Sequence, residues 1–333
     1  MSLGGAHLTI TLGVEEGRVV PALDLAPGAD ATRLFFGRAP ADVARLVPLI
    51  FNLCGAAQGR AARAALGLPP AEGDAPALHL EHVRDHALCL ARAWPAAFAL
   101  PADADCLRLA AGLASGDGAA QSGLLRHLVG QAGDLGQIGV KALVRLLEAG
   151  ETPLFRLLAL ARRRLRPDWG RIELPAPSPA DLTARLTGRA APLREASCLE
   201  PLRPLPLMAE IEEAEGRSLF LRMMGRVLDL LRHLDPAGPT VPGWSPGRGI
   251  GIAQAVRGPL GHRAVLADGA VERYRVVTPT DWNLAPGGAL AQALSKLPVG
   301  DMLSVTARLV VSCINPCVPT VLVAGGRKVD LHA

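Results

Sequence analysis

Apolar and polar residues alternate from 7 to 25 about the tetrapeptide Glu15-Glu16-Gly17-Arg18, placing Leu8, Ile10 and Leu12 on one face. That period of two around a turn sequence predicts a β-hairpin. Beyond Pro40 and Asp42 the apolar spacing becomes helical. It predicts amphipathic helices at about 41–67, 78–99, 104–114, 120–132, 138–149 and 152–166, so the first half reads as a helical bundle. Prolines at 167, 175, 177, 179, 192, 201, 204 and 206 then mark a long irregular connection, since each removes an N–H and fixes φ. A long helix is expected at 207–234, followed by a second Pro/Gly-rich segment from Pro236 to Gly249. Asp268-Gly269 between the alternating runs 263–267 and 270–277 is a strong hairpin signal. A helix at 286–297 and an apolar run at 303–311 lead to the C-terminal region. The whole of 1–333 is expected to form one α+β domain, a helical-bundle core with peripheral β-hairpins, and no internal repeat is visible.

Composition narrows the class. Half of the 333 residues are hydrophobic, enough for a substantial core. The net charge of +4 is small, and basic residues are not interleaved with aromatics, which argues against a nucleic-acid partner. The one basic run, Arg162-Arg163-Arg164-Leu165-Arg166, reads as a solvated helix end beside the C-terminal dipole. No uncharged apolar run reaches about 18 residues, and the N-terminus has neither a basic n-region nor an apolar h-region. No membrane insertion and a cytoplasmic location are therefore expected. Cysteines at 54, 89, 106, 198, 313 and 317 are too scattered for a secreted disulfide scaffold, so reduced thiols are expected.

Thiolates are soft ligands suited to iron, nickel and zinc, and two of them from distant segments can clamp a metal between elements. Cys54 and Cys317 are the candidates for such a pair; Cys313 can substitute for one of them or pair locally with Cys317 as a metal or redox site. Cys89, Cys106 and Cys198 read as structural. His79, His82 and His86 fall at i, i+3 and i+7 on one helix face beside Glu81 and Asp85. Such a face can bind zinc or nickel, but with no fourth ligand in view it is read as a polar helix face with one histidine turned inward. Gly247-Arg248-Gly249-Ile250-Gly251 follows no predicted strand and opens no helix, so a linker is expected instead of a phosphate loop. His7 and His262 are read as core histidines, Trp282 as packed and Asn283 as fixing a turn.

Several ordered segments resemble the large subunit of nickel-iron hydrogenase. Ala6-His7-Leu8-Thr9-Ile10 is similar to the family's Glu-Gly-His-Leu-Arg-Ile strand, and Gly37-Arg38-Ala39-Pro40-Ala41-Asp42 to the Gly-Arg-x-Pro-x-Asp before its first cysteine motif. The segment Gln254 to His262, the Asp-Gly hairpin, Thr278-Pro279-Thr280-Asp281-Trp282-Asn283 and Asn315-Pro316-Cys317 follow in order. The middle, from about 90 to 240, matches only as helices.

The resemblance implies a metal site with part of its ligand set removed. In the family each cysteine motif supplies one terminal nickel ligand and one cysteine bridging nickel to an iron that carries cyanide and carbon monoxide. Here Phe51 stands for the first terminal cysteine, Cys54 keeps the bridging one, and Gln58 replaces a histidine. Cys317 keeps the second terminal cysteine, and Thr320 replaces its bridging partner. The N-terminal glutamate is represented by Gly5 and the C-terminal histidine by Val323. Two thiolates cannot hold nickel as four do, so stable nickel and hydrogen turnover are not expected. Arg257 matches the arginine over the diatomic ligands and Thr280 the hydroxyl that donates to a cyanide. This pattern is similar to that of the HupK-type hydrogenase maturation proteins. It implies a non-catalytic scaffold that transiently carries the Fe(CN)2CO fragment, with a hydrogenase large-subunit precursor and maturation or chaperone proteins as partners. A metal-free interaction protein of the same fold is the alternative, and an active hydrogenase the third.

Overall fold

The computed structural model describes residues 5–235, 238–239, 244–247 and 249–331. Its first sheet is built on β1 (His7–Glu15) and β2 (Arg18–Ala26), whose turn places Glu16 and Gly17 at φ 48° and 73°. Two successive positive φ values match the right-handed twist of the flanking strands. Leu8, Ile10 and Leu12 are buried as the alternation predicts, whereas His7 is exposed and is not a core histidine.

Helices follow as α1 (Pro40–Ile50), α2 (Gly55–Ala65), α3 (Asp74–Leu88), α4 (Trp94–Ala97), α5 (Ala104–Ala114), α6 (Gly118–Val129), α7 (Val140–Ala149) and α8 (Pro153–Arg164). The helix expected at 41–67 is in fact two, α1 and α2, with an 89° bend between them. Phe51 and Cys54 adopt non-helical dihedrals there. Gly55 permits the closure: a Cβ at that position would sit 3.0 Å from the Pro48 carbonyl oxygen. The bend turns a mid-helix cysteine into one at a helix start.

The proline-rich connection is irregular except for α9 (Pro179–Leu186) and a short 3-10 turn at Glu200–Leu202. It is anchored at two points. Glu195 accepts two 2.7 Å bonds from the Arg222 guanidinium, and Asn283 exchanges two hydrogen bonds with the backbone of Ala196. The long helix expected at 207–234 is α10 (Pro206–Glu215) and α11 (Leu219–Leu234), separated at Gly216, whose φ is 65°, with Ser218 capping α11. In the Pro236–Gly249 stretch, residues 236–237, 240–243 and 248 lie outside the described residues.

The second sheet has the order β3-β4-β5-β6, all antiparallel: β3 (Trp244–Gly247), β4 (Ile250–Ala255), β5 (Gly258–Ala267) and β6 (Ala270–Val277). The expected linker at 247–251 therefore runs into a strand. Gly251 shows why glycine stands there: an added Cβ would lie 2.1 Å from the Ala61 carbonyl oxygen, so β4 crosses directly over the α2 backbone. Glycine spacing that looks like a loop marks a strand–helix contact.

The chain ends with α12 (Pro279–Asn283), α13 (Ala289–Ser295), α14 (Leu303–Ile314), β7 (Thr320–Ala324) and β8 (Arg327–Asp330). The expected N-terminal hairpin is thus part of a four-stranded sheet ordered β2-β1-β7-β8, in which β1 and β7 pair in parallel. The largest core cluster joins this sheet to α11, α14 and helices of the first half, with Met223, Met224, Val227 and Leu230 of α11 at its centre. No single helix among the described residues is long and apolar enough to cross a membrane.

Candidate functional site

Four segments carry Cys54, Cys317, Arg257 and Thr280. Cys54 is buried at the start of α2, and Cys317 follows α14 after Asn315, which ends that helix in the left-handed conformation. Arg257 occupies the β4–β5 turn and Thr280 the first turn of α12. The Cys317 thiol and the Arg257 guanidinium both act electrostatically on Cys54, and Arg257 acts on Cys317 as well.

Thr280 is bonded twice to Cys317. Its Oγ1 accepts from the Cys317 backbone N–H at 3.1 Å and lies 2.9 Å from Sγ. With one lone pair engaged by the N–H, the hydroxyl proton is free to point at the sulfur. A chain of hydrogen bonds ends on the other thiol. Tyr274 and Gln58 flank the fully buried His262, with the Tyr274 oxygen 2.8 Å from Nδ1 and Gln58 Oε1 on Nε2, and Gln58 Nε2 donates to Cys54 Sγ at 3.4 Å. The orientation is consistent if Tyr274 donates to Nδ1 and Nε2–H donates to Gln58. His262 is the core histidine the sequence suggested, and burial pushes its pKa down to about 3.

Burial pushes the Cys54 thiol up to about 12; Arg257 opposes this and Cys317 adds to it. Cys317 is raised too, by burial against the Thr280 hydrogen bond and Arg257. Both are thiols near neutral pH, so a metal bound here must displace protons.

Asp85 of α3 organises the cationic side. Its Oδ2 accepts from Arg257, and its Oδ1 accepts from Arg226 at 2.7 Å and from the Asn315 amide at 2.8 Å. These charge-assisted bonds hold its carboxyl well below the usual range, despite a burial effect in the opposite direction. Arg257 still has Nε and Nη1 buried with no hydrogen-bond partner. Unpartnered buried donors are costly, and a ligand with acceptor nitrogens would satisfy them. Glu81, one helical turn before Asp85, accepts from the Ala56 N–H at 2.8 Å; its other oxygen is buried and unpartnered, and burial raises its pKa. A cavity of about 840 Å3 opens beside these groups. Arg257, Asp85 and Asn315 stand on its wall, whereas Cys54 and Cys317 do not.

Cys313 is placed differently. Its electrostatic neighbours are Cys89, Arg226 and Arg222, and burial pushes its thiol up to about 12. Cys89 donates to the Ser312 carbonyl at 3.7 Å, and Cys106 and Cys198 are buried, as expected of structural cysteines. Gln58, Glu81, Asp85 and Arg226 were not singled out as site residues from sequence. The only available signal for the carboxylates was the i, i+4 spacing of Glu81 and Asp85 on one helix face.

Residues 232–318, which span Arg257, Thr280 and Cys317, match the nickel-dependent hydrogenase family. The hydrogenase expression/formation protein HupK of Rhodobacter capsulatus is 33% identical over 94% of this chain and 96% of its own length. The chain belongs to the HupK family of hydrogenase expression/formation proteins. HupK of Azotobacter vinelandii is 28% identical over 95% of this chain and 97% of its own. The fold is that of the hydrogenase large subunit. The nickel-iron-selenium hydrogenase of Desulfovibrio vulgaris Hildenborough superposes with a TM-score of 0.59 over 91% of this chain and 94% of that one, at 15% identity.

Proposed function

We propose that this chain is a non-catalytic accessory protein of nickel-iron hydrogenase maturation that transiently carries an Fe(CN)2CO fragment for a hydrogenase large-subunit precursor. Iron takes Cys54 and Cys317 as thiolates, while Arg257 and Thr280 donate to cyanide nitrogens. The observation that carries this reading is Arg257, held by Asp85 beside both thiols with two buried N–H groups unsatisfied. A dicyano-iron fragment is anionic and presents acceptor nitrogens, matching a fixed guanidinium. Phe51 and Thr320 leave no second thiol pair for nickel, so the fragment is held by fewer thiolates than a complete site offers and transfer runs toward the client. Loading requires side-chain movement at the cavity wall, because the sulfurs are not on it. The cargo binds as its thiols lose protons, and delivery to the precursor, with its maturation partners, returns them.

A metal-free interaction role draws support from the same two facts, protonated thiols and their absence from the cavity wall. Iron content and hydrogenase maturation, measured together, separate the readings. Protein isolated without oxygen from a maturing host is expected to carry iron that Cys54→Ala loses, with maturation impaired. Normal maturation by a Cys54→Ala/Cys317→Ala protein would favour the interaction role.

A further inference from the structure

We propose a second metal site, separate from the two thiols, in which His82, His86, His233 and Asp229 bind one divalent transition-metal ion of the zinc class. The site lies between α3 and α11. His82 and His86 are one turn apart on α3, and Asp229 and His233 one turn apart on α11, so each helix turns two donors toward the other. Donor atoms of His82, His86 and Asp229 lie within 4.8 Å of one another, and all three residues are buried.

The Asp229 Oδ2 is 2.7 Å from both His82 Nδ1 and His86 Nε2, and its Oδ1 is 3.7 Å from His233 Nε2. The His82 and His233 rings stack at 3.9 Å. Zinc–ligand bonds of about 2.0–2.2 Å in a tetrahedron correspond to donor separations of about 3.3 Å, so the two short contacts open by about 0.6 Å to admit the ion. One further observation favours a ligand over a simple polar contact. His79 Nδ1 lies 2.9 Å from His233 Nδ1, turning His233 Nε2 toward Asp229, the outer-shell arrangement that orients metal-binding imidazoles. Coordination leaves each imidazole neutral; the proton it gives up at the donating nitrogen moves to the other ring nitrogen. The adjacent ion pair of Arg226 with Asp85 is the nearest charged feature on the His86 side. Two imidazoles and one carboxylate already lie within reach of one ion, and with His233 moving in from 3.7 Å as the fourth donor the set suits tetrahedral zinc better than nickel.

The test is a calorimetric titration of the metal-stripped full chain with Zn2+ and, separately, Ni2+, repeated on a Cys54→Ala/Cys317→Ala protein. One equivalent of zinc that persists in the Cys54→Ala/Cys317→Ala protein, bound there more tightly than nickel, is expected. His86→Gln and Asp229→Asn should each weaken it about a hundredfold or more, and His79→Gln about tenfold, as an outer-shell change does. Co2+ bound to the cysteine variant should give the ligand-field spectrum of nitrogen and oxygen donors with no thiolate charge-transfer band. Should either ligand variant fail to fold, His233→Gln and the Co2+ spectrum of the cysteine variant decide the matter. No saturable zinc binding, binding unchanged by the folded histidine or aspartate variants, or a thiolate charge-transfer band in the cysteine variant would each overturn the site.

Discussion

Thr280 and Cys317 hold each other at both ends: the threonine hydroxyl oxygen is 3.1 Å from the cysteine N–H and 2.9 Å from its sulfur. The first contact fixes the backbone that presents the thiol, and the second keeps the hydroxyl against its sulfur. Thr280→Val is expected to leave a half-buried N–H unsatisfied, costing about 1 kcal/mol in urea unfolding, and to lower iron retention. Thr280→Ser should restore both. Equal iron retention by Val and Ser variants would show that the hydroxyl has no part in holding cargo.

Asp85 carries the other half of the arrangement by bridging Arg226 and Arg257 with its two oxygens. Asp85→Asn leaves two buried guanidinium groups short of their counter-charge, a change expected to cost about 3–5 kcal/mol. Its folded pKa is depressed, so its contribution is present above the unfolded value of about 3.9 and is lost as pH falls. His262 acts in the same direction. It is neutral when folded with a pKa near 3, so unfolding takes up a proton once pH drops below about 6.5. Wild-type stability should therefore begin to fall below about pH 6.5 and fall further below about pH 4. A urea midpoint that is flat from pH 7 to 3 would contradict this electrostatic description.

Gly251 lets β4, the strand that leads to Arg257, lie directly against the backbone of α2, the helix that starts after Cys54. In Gly251→Ala the new methyl meets the backbone of Ala61, which cannot rotate away as a side chain can. A loss of about 3 kcal/mol is expected in thermal or urea unfolding, with reduced iron retention in whatever folds. Gly17→Ala, in an open turn with nothing near its Cβ, should cost less and leave iron retention intact.

Because Cys54 titrates near 12 and Cys317 is also raised, each thiolate formed on loading releases one proton. Apparent affinity for Fe2+ at this pair should rise with pH through the neutral range. The expected slope is about tenfold per pH unit for one thiolate and about a hundredfold for two. A single-cysteine variant should halve the slope. A pH-independent affinity would place the metal on other ligands.

The elements that were legible in the sequence are those whose local signals agree. The Glu16-Gly17 and Asp268-Gly269 turns and the capped helices α5 and α7 fall close to where their residues predict. The misses have two causes. The α1–α2 bend forms where Pro48 approaches Gly55, local breakers masked by the continuous helical spacing of 41–67, whereas β4 is recognisable only once α2 lies against Gly251, a tertiary contact without a local signature. Likewise the β1–β7 pairing joins residues about 310 apart in sequence, which no short-range pattern reports. At the site, the cysteines and Arg257 could be found through motif resemblance. Asp85 and Asp229 could not, because an aspartate on a helix usually faces water and only tertiary packing gives these two their partners, Arg226, Arg257 and Asn315 for Asp85 and the histidines of α3 for Asp229.

The most direct test of the proposed carrier role is an infrared spectrum of the protein isolated without oxygen from a host that matures hydrogenase. Cyanide and carbon monoxide stretches in the wild-type protein, absent from Cys54→Ala and shifted in Arg257→Lys, are the predicted result. A spectrum without those bands from protein that still supports maturation would contradict it.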